Sequence, residues 1–197
     1  MTTTAATANP DTHTGITNAK LGVWLFLCSE VMLFATLFTT YIVLRLSATT
    51  WPWGWDALNV PLGTLNTAIL ITSSVTIVMA YARAYDKDLK GFRFWMAATL
   101  FLSFAFLVVK GFEYHGEFSK GIWPSTSVFY ATYFTLTGLH ACHIIGGIIV
   151  NSTLLRMSYK KECWEHPLFL GRVEGAGLYW HFVDIVWIFL FPALYLI

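Results

Sequence analysis

Five runs of apolar residues, each long enough to cross a bilayer, account for most of the chain. A hydrocarbon core about 30 Å thick needs about 20 apolar residues in helical form. The runs lie near 21–46, 62–84, 92–112, 125–155 and 173–197. At 197 residues, with 56% hydrophobic and only 12% charged, a soluble domain of this composition would expose far too much apolar surface. The expected fold is therefore all-α, a polytopic membrane protein built as a bundle of five transmembrane helices over residues 21–197. Residues 1–20, rich in Thr, Ala and Asn, form a polar N-terminal tail that lacks the charged region and apolar core of a cleavable signal peptide.

An odd number of spans places the two termini on opposite sides, and the basic residues indicate which side is which. Lys20, Arg83, Lys87, Lys90, Arg93, Arg156, Lys160, Lys161 and Arg172 fall on one side, against Arg45, Lys110 and Lys120 on the other. The expected orientation is N-terminus cytoplasmic and C-terminus periplasmic. "WPWGW", Trp51 to Trp55, then lies on the outer side as an aromatic anchor at the interface. The net charge of +1 carries no basic footprint for nucleic acid. Cys28, Cys142 and Cys163 form no C-x-x-C pair, and the first two lie in apolar runs where they read as small hydrophobes. Arg93 and Lys110 bracket the third run, with stems long enough to snorkel outward. No matching pair of Gly/Pro-broken half-helices supports an inverted-repeat transporter.

Ionisable residues inside a span need partners, because an aspartate at a helix centre costs about 2.5–3.5 kcal/mol on insertion scales. Glu30 and Asp184 each lie nine residues inside spans that run the same way, about 14 Å deep at 1.5 Å per residue. His143, twelve residues before Leu155 on an oppositely directed span, lies about 18 Å from the same side. Glu30, His140, His143, His181 and Asp184 thus make a polar layer near mid-membrane, and Glu30 is expected to hydrogen-bond His143.

In "TGLHACHIIGG", Thr137 to Gly147, His140 and His143 share one helix face. Gly138, Cys142 and Gly146 make a small-residue face about 130° away, so the fourth helix is expected to be buried on two sides. Two histidines at this spacing can reach a common metal ion if carboxylates from other helices complete the set, or can bond across helices as neutral imidazoles. Glu30 reads as a hydrogen-bonded acid or as a proton carrier, since an un-ionised acid can donate to an imidazole. For His181 and Asp184, local pairing and interhelical bonding compete with catalysis. Glu174, opening the fifth span, reads as an acid at a helix N-terminus.

Five stretches occur in order: "SEVMLFATLFTTY" at 29–41, "PLGTLNTAILITSS" at 61–74, "GFEYHGEF" at 111–118, "TGLHACHIIGG" at 137–147 and "EGAGLYWHFVDIVWIFLF" at 174–191. Together they resemble subunit III of haem-copper terminal oxidases, in the short five-helix form of bacterial cytochrome c and quinol oxidases, over nearly everything after Lys20. The longer family form has seven helices, and the first span here is similar to its third. The resemblance implies a noncatalytic accessory subunit of the bacterial inner membrane, set beside catalytic subunit I in a proton-pumping complex. Haems and copper belong to partner subunits, and no cofactor or metal is expected in this one. Implied roles are stabilising subunit I, binding phospholipids and supporting proton uptake.

Residue by residue, Glu30 matches the family's intramembrane glutamate, His140 and His143 its paired histidines, and Glu113 the acid of its "E-Y" motif. Glu174, His181 and Asp184 match its final-helix signature, and Arg156 a position suited to a lipid phosphate. A subunit III-like partner of a nitric oxide reductase and a small membrane transporter stand as the alternative readings.

Overall fold

The computed structural model describes residues 18–197, and residues 1–17 of the expected tail lie outside the described residues. The described chain is helical, with no strands among the described residues. Its elements are α1 (Asn18–Ser47), α2 (Gly54–Ala57), α3 (Val60–Tyr85), α4 (Leu89–Ser119), α5 (Val128–Met157), α6 (Lys161–Trp164) and α7 (Leu168–Phe191), with a closing π turn (Pro192–Leu196). Among the described residues five helices are long and apolar enough to cross a membrane.

Local chemistry sets the helix ends. The side chains of Asn59, Asp88 and Ser127 accept from the backbone N–H of Leu62, Gly91 and Tyr130 respectively, satisfying donors that have no partner within the helix. Between α3 and α4 the chain reverses tightly: Lys87 adopts φ 57° and Asp88 N–H returns to Arg83 C=O at 2.9 Å. This 6→1 bond closes the end of α3.

α7 is the central helix, packed against α3, α5 and α1, and α4 completes the bundle against α3 and α5. The largest buried rings belong to Trp180 and Trp187 of α7. Gly147 of α5 makes room for the first: a Cβ there would meet the Trp180 ring at 2.4 Å. The close approach expected at Gly138, Cys142 and Gly146 is therefore displaced to Gly147. Cys142 is exposed and Gly146 only half-buried, because the bulk of Trp180 fixes which small residue faces α7. Cys28 is also exposed rather than packed.

α1 lies at the rim. It buries one narrow seam, Leu27, Phe34 and Tyr41 at seven-residue spacing, and leaves Leu25, Met32, Val43 and Leu46 exposed. For a helix in lipid those exposed side chains are in their proper solvent.

Two ends of the bundle need labels. The basic end carries Lys20, the α3–α4 turn and the α5–α7 connection, and there Arg93 donates to Ser158 O at 2.6 Å. At the opposite end the π turn collects contacts from several elements. Tyr41 donates to Ala193 O at 2.5 Å, Arg45 to Ile197 O at 2.9 Å, and Gly54 sits against the Leu194 backbone.

Candidate functional site

The fourth turn of α1 carries Glu30, half-buried, toward α5. Its Oε2 lies 2.9 Å from His143 Nε2. His143 Nδ1 faces Leu139 C=O at 2.8 Å, and a carbonyl only accepts, so Nδ1 carries the proton. Nε2 then accepts from the acid form of Glu30 or donates as part of an imidazolium to its carboxylate. Either way one proton bridges α1 and α5. Tyr179 Oη donates to His143 C=O at 2.9 Å and brings α7 into the same junction.

The central helix presents a second row of polar groups to α3. Trp180 Nε1 donates to Ser73 Oγ and Trp187 Nε1 to Thr67 Oγ1, both at 3.0 Å. His181 Nδ1 lies 2.7 Å from Ser74 Oγ. Asp184, between the two tryptophans in sequence, is buried, and neither carboxyl oxygen finds a partner among the described residues. Of the local pairing and interhelical bonding expected for His181 and Asp184, His181 makes an interhelical bond, and the local His181–Asp184 pair does not form.

His140 also departs from expectation. Its ring is fully buried, tilted against Trp187 at 5.1 Å and edge-on to Phe106 at 5.8 Å, and neither ring nitrogen has a hydrogen-bond partner among the described residues. It packs as an aromatic disc, while His143 three residues on turns to α1. The two histidines do not converge. No group of three or more His, Cys, Asp or Glu side chains gathers for a metal among the described residues.

The densest cluster lies toward the opposite end, centred on a residue expected to snorkel outward. Lys110 instead points inward and is buried. Its Nζ donates to Glu113 Oε2 at 2.9 Å, to Tyr195 Oη at 2.5 Å and to Tyr133 Oη at 3.3 Å. Glu113 Oε1 in turn accepts from Tyr195 at 2.6 Å and Tyr133 at 3.1 Å. The ammonium is also 5.0 Å from the Trp187 ring centre, within cation–π reach. All three ammonium donors and both carboxylate oxygens are used, which is the condition for a buried ion pair to be tolerated.

The sequence carried one signal for this cluster. Thr99, Ser103, Phe106, Lys110, Glu113 and Glu117 are all buried and recur at helical spacing, so the buried face of α4 continues to Glu117, past the expected end of the span at 112. Tyr195 joins only because the π turn folds back over α4 and α5.

Three outlying charges complete the inventory. Glu174 is in the second turn of α7, which begins at Leu168 rather than 173, so it does not cap the helix. It pairs with Lys20 at 2.6 Å, tying α7 to the start of α1. At the opposite end Lys120 bonds Glu117 at 2.9 Å. That hydrogen bond and the carboxylate charge hold the Lys120 ammonium above the ordinary lysine value. Arg156, in the last turn of α5, is exposed and has no side-chain partner among the described residues.

With five membrane-length helices joined by these polar contacts, the chain matches the family model for "Cytochrome c oxidase subunit III" over residues 2–197. The chain belongs to that family. It is 34% identical to cytochrome c oxidase subunit 3 of Bacillus sp. (strain PS3) over 181 residues, covering 91% of this chain and 86% of the relative. It is 32% identical to cytochrome bo(3) ubiquinol oxidase subunit 3 of Pseudomonas putida over 177 residues, 90% of this chain and 84% of the relative. A probable quinol oxidase subunit 3 of Staphylococcus aureus (strain USA300) is 32% identical over 197 residues, 97% of this chain and 94% of the relative. Members of the family are accessory, non-catalytic subunits of haem-copper oxidase complexes. Within such a subunit the Glu30–His143 contact, and the bonds from the Lys110–Glu113 pair of α4 to Tyr133 and Tyr195, join separate elements.

Proposed function

We propose that this subunit III sits in the bacterial inner membrane against catalytic subunit I of a proton-pumping terminal oxidase, with its basic end cytoplasmic. It stiffens that partner, holds phospholipid and supports proton uptake. Oxygen reduction takes place at the haems and copper of the other subunits. The observation that carries this reading is how the ionisable side chains are used: Lys110 and Glu113 of α4 together bind Tyr133 of α5 and Tyr195 of the π turn, Glu30 joins α1 to His143 of α5, and Lys20 joins α1 to Glu174 of α7. Such a bundle is suited to a rigid partner surface.

For lipid, the supporting feature is the exposed Arg156 at the basic end, a forked donor matched to a phosphate. Lys160, Lys161 and Arg172, all exposed on the same end, add to the attraction for anionic headgroups.

The test is purification of the native complex through a tag on this chain. Larger subunits carrying haem and copper should co-purify, and the preparation should consume oxygen with cytochrome c or a quinol as donor. Recovery of the chain with haem-free partners, or alone, would overturn the reading. In the same preparation Arg156→Ala should lower phospholipid occupancy. One cation near an anionic surface is worth about 1 kcal/mol, roughly a fivefold change. Unchanged lipid content would remove Arg156 from the proposal.

A further inference from the structure

Asp184 stands out among the buried acids because nothing satisfies it. It is only 4% exposed and both carboxyl oxygens are unpartnered among the described residues, whereas Glu113, buried to the same extent, receives three hydrogen bonds. A lone carboxylate is costly to bury, and the alternative is to carry a proton. That proton needs a source.

The surroundings supply a route. Ser74 of α3 faces α7 at this level: its hydroxyl is 2.7 Å from His181 Nδ1, and Asp184 follows His181 by about one helical turn on the same face of α7. The neighbouring indoles are engaged elsewhere, Trp180 with Ser73 and Trp187 with Thr67, so they do not compete for Asp184. His181 is half-buried and lines a slot of about 140 Å³ between α3 and α7. From His181 the slot extends past Ile77, Gly177 and Tyr81 to Glu174, which Lys20 holds at the basic end. A single water needs only about 10–15 Å³ of such space, so the slot admits a short file of water between the two polar groups.

We propose that Asp184 is a proton-binding site of subunit III, filled from the basic end through the slot, His181 and Ser74. A proton that enters at the basic end is passed along the slot waters, each water giving one proton on as it receives another, and reaches His181 Nε2 as Nδ1 gives its own to Ser74 Oγ. Ser74 then turns its original hydroxyl proton onto the Asp184 carboxylate. The balance is one proton taken from the basic end and one gained by Asp184, with the waters unchanged. Serine is unchanged in composition, and the imidazole ends as its other tautomer, which the reverse transfer restores. Each partner has the chemistry required: the ring has two nitrogens that exchange roles, and the hydroxyl both donates and accepts.

The ionisable groups on the elements around α7 do not intercept this route. His140 and His143 on α5, Glu30 on α1 and Lys110 on α4 make no hydrogen bond to Asp184, and of the α3 groups Ser73 is bonded to Trp180, Thr67 to Trp187 and Ser74 to His181, while Tyr81 lines the slot.

The test is infrared spectroscopy of the purified native complex transferred from H2O to D2O. The wild-type complex should show the carbonyl stretch of an un-ionised acid that shifts on deuteration and is absent in Asp184→Asn. Ser74→Ala and His181→Phe should keep that band at its H2O position but slow its shift about a hundredfold, the low end of what a positioned proton-transfer group contributes. A band that survives in Asp184→Asn, or that exchanges at the wild-type rate in both relay variants, overturns the proposal. If Asp184→Asn does not assemble, Asp184→Glu serves instead. It should move the band, and an unmoved band counts equally against the site. Oxygen consumption by the same samples reports separately on the subunit III reading.

Discussion

Two regions of this bundle bury acidic side chains to the same depth and treat them in opposite ways. Around Glu113, Lys110, Tyr133 and Tyr195 use every available donor and acceptor, and three separate elements are fastened together. The carboxyl oxygens of Asp184 and the ring nitrogens of His140 have no hydrogen-bond partner among the described residues. Both sets lie in an apolar bundle, so the dielectric environment does not distinguish them. What differs is access. The Glu113 cluster is closed on all sides by aromatic rings, while Asp184 has a hydroxyl, an imidazole and a slot between it and the basic end. A closed polar network rigidifies, and an incomplete one leaves room for a proton or water.

The largest effect should follow from breaking the closed region. Glu113→Gln leaves the Lys110 ammonium buried without its counter-charge, and removing one partner of a buried pair costs about 3–5 kcal/mol. The measurement is thermal retention of this chain in the purified complex, and the variant should be lost at markedly lower temperature. Lys110→Met combined with Glu113→Leu should cost less than Glu113→Gln alone, because apolar replacements leave no orphaned charge. A double variant worse than the single one would show that the cluster stabilises through its hydrogen bonds to the tyrosines.

A middle-sized effect is expected where α1 meets α5. The Glu30 and His143 side chains are 15% and 14% exposed, and interhelical polar contacts in membranes average about 0.6 kcal/mol in double-mutant cycles. Glu30→Gln and His143→Phe, alone and together, should give a coupling near that value by thermal denaturation in detergent. α1 buries only its narrow Leu27–Phe34–Tyr41 seam, so this contact is a large share of what holds it. A coupling of zero would mean that the seam packing and the bonds of Lys20, Tyr41 and Arg45 seat the helix without this pair.

Asp184→Asn should change stability by less than about 1 kcal/mol, since no formed hydrogen bond is lost and the shape is kept. The same isosteric exchange at Glu113 and at Asp184 thus sharpens the contrast between the regions. Equal losses would remove it.

The hydropathy of the chain made the five helices legible, because a membrane span is a strong signal that needs no tertiary information. Depth arithmetic was enough to pair Glu30 with His143, as both reside on straight helices with known starting points. The Lys110 cluster was not legible by the same means. "GFEYHGEF" is polar enough to read as a connection, and its helical continuation depends on carboxylates that α5 and the π turn receive. Likewise the small-residue face at Gly138, Cys142 and Gly146 was a fair pattern, yet the ring of Trp180 selects Gly147. Sequence periodicity locates a face, and the bulk of the opposing side chain decides which residue on it is touched.

The smallest effect belongs to the pair at the edge of the closed region. Lys120 bonds Glu117 at 2.9 Å, but its side chain is 63% exposed, and exposed ion pairs contribute about 0–1 kcal/mol. The pair differs from an ordinary surface pair in that Glu117 is buried, with one oxygen unpartnered among the described residues. Lys120→Met should therefore lower the melting temperature slightly at neutral pH, within that range. The pH dependence has a definite sign. The lysine value is raised in the folded chain above the ordinary 10.5, so the stabilisation is complete below that value and fades as pH rises through the folded-state value. Wild type and Lys120→Met should differ by the same small amount at pH 7 and at pH 8, and converge only in strongly alkaline buffer. Convergence already near neutrality would mean that Lys120 lacks the Glu117 bond when the complex is assembled.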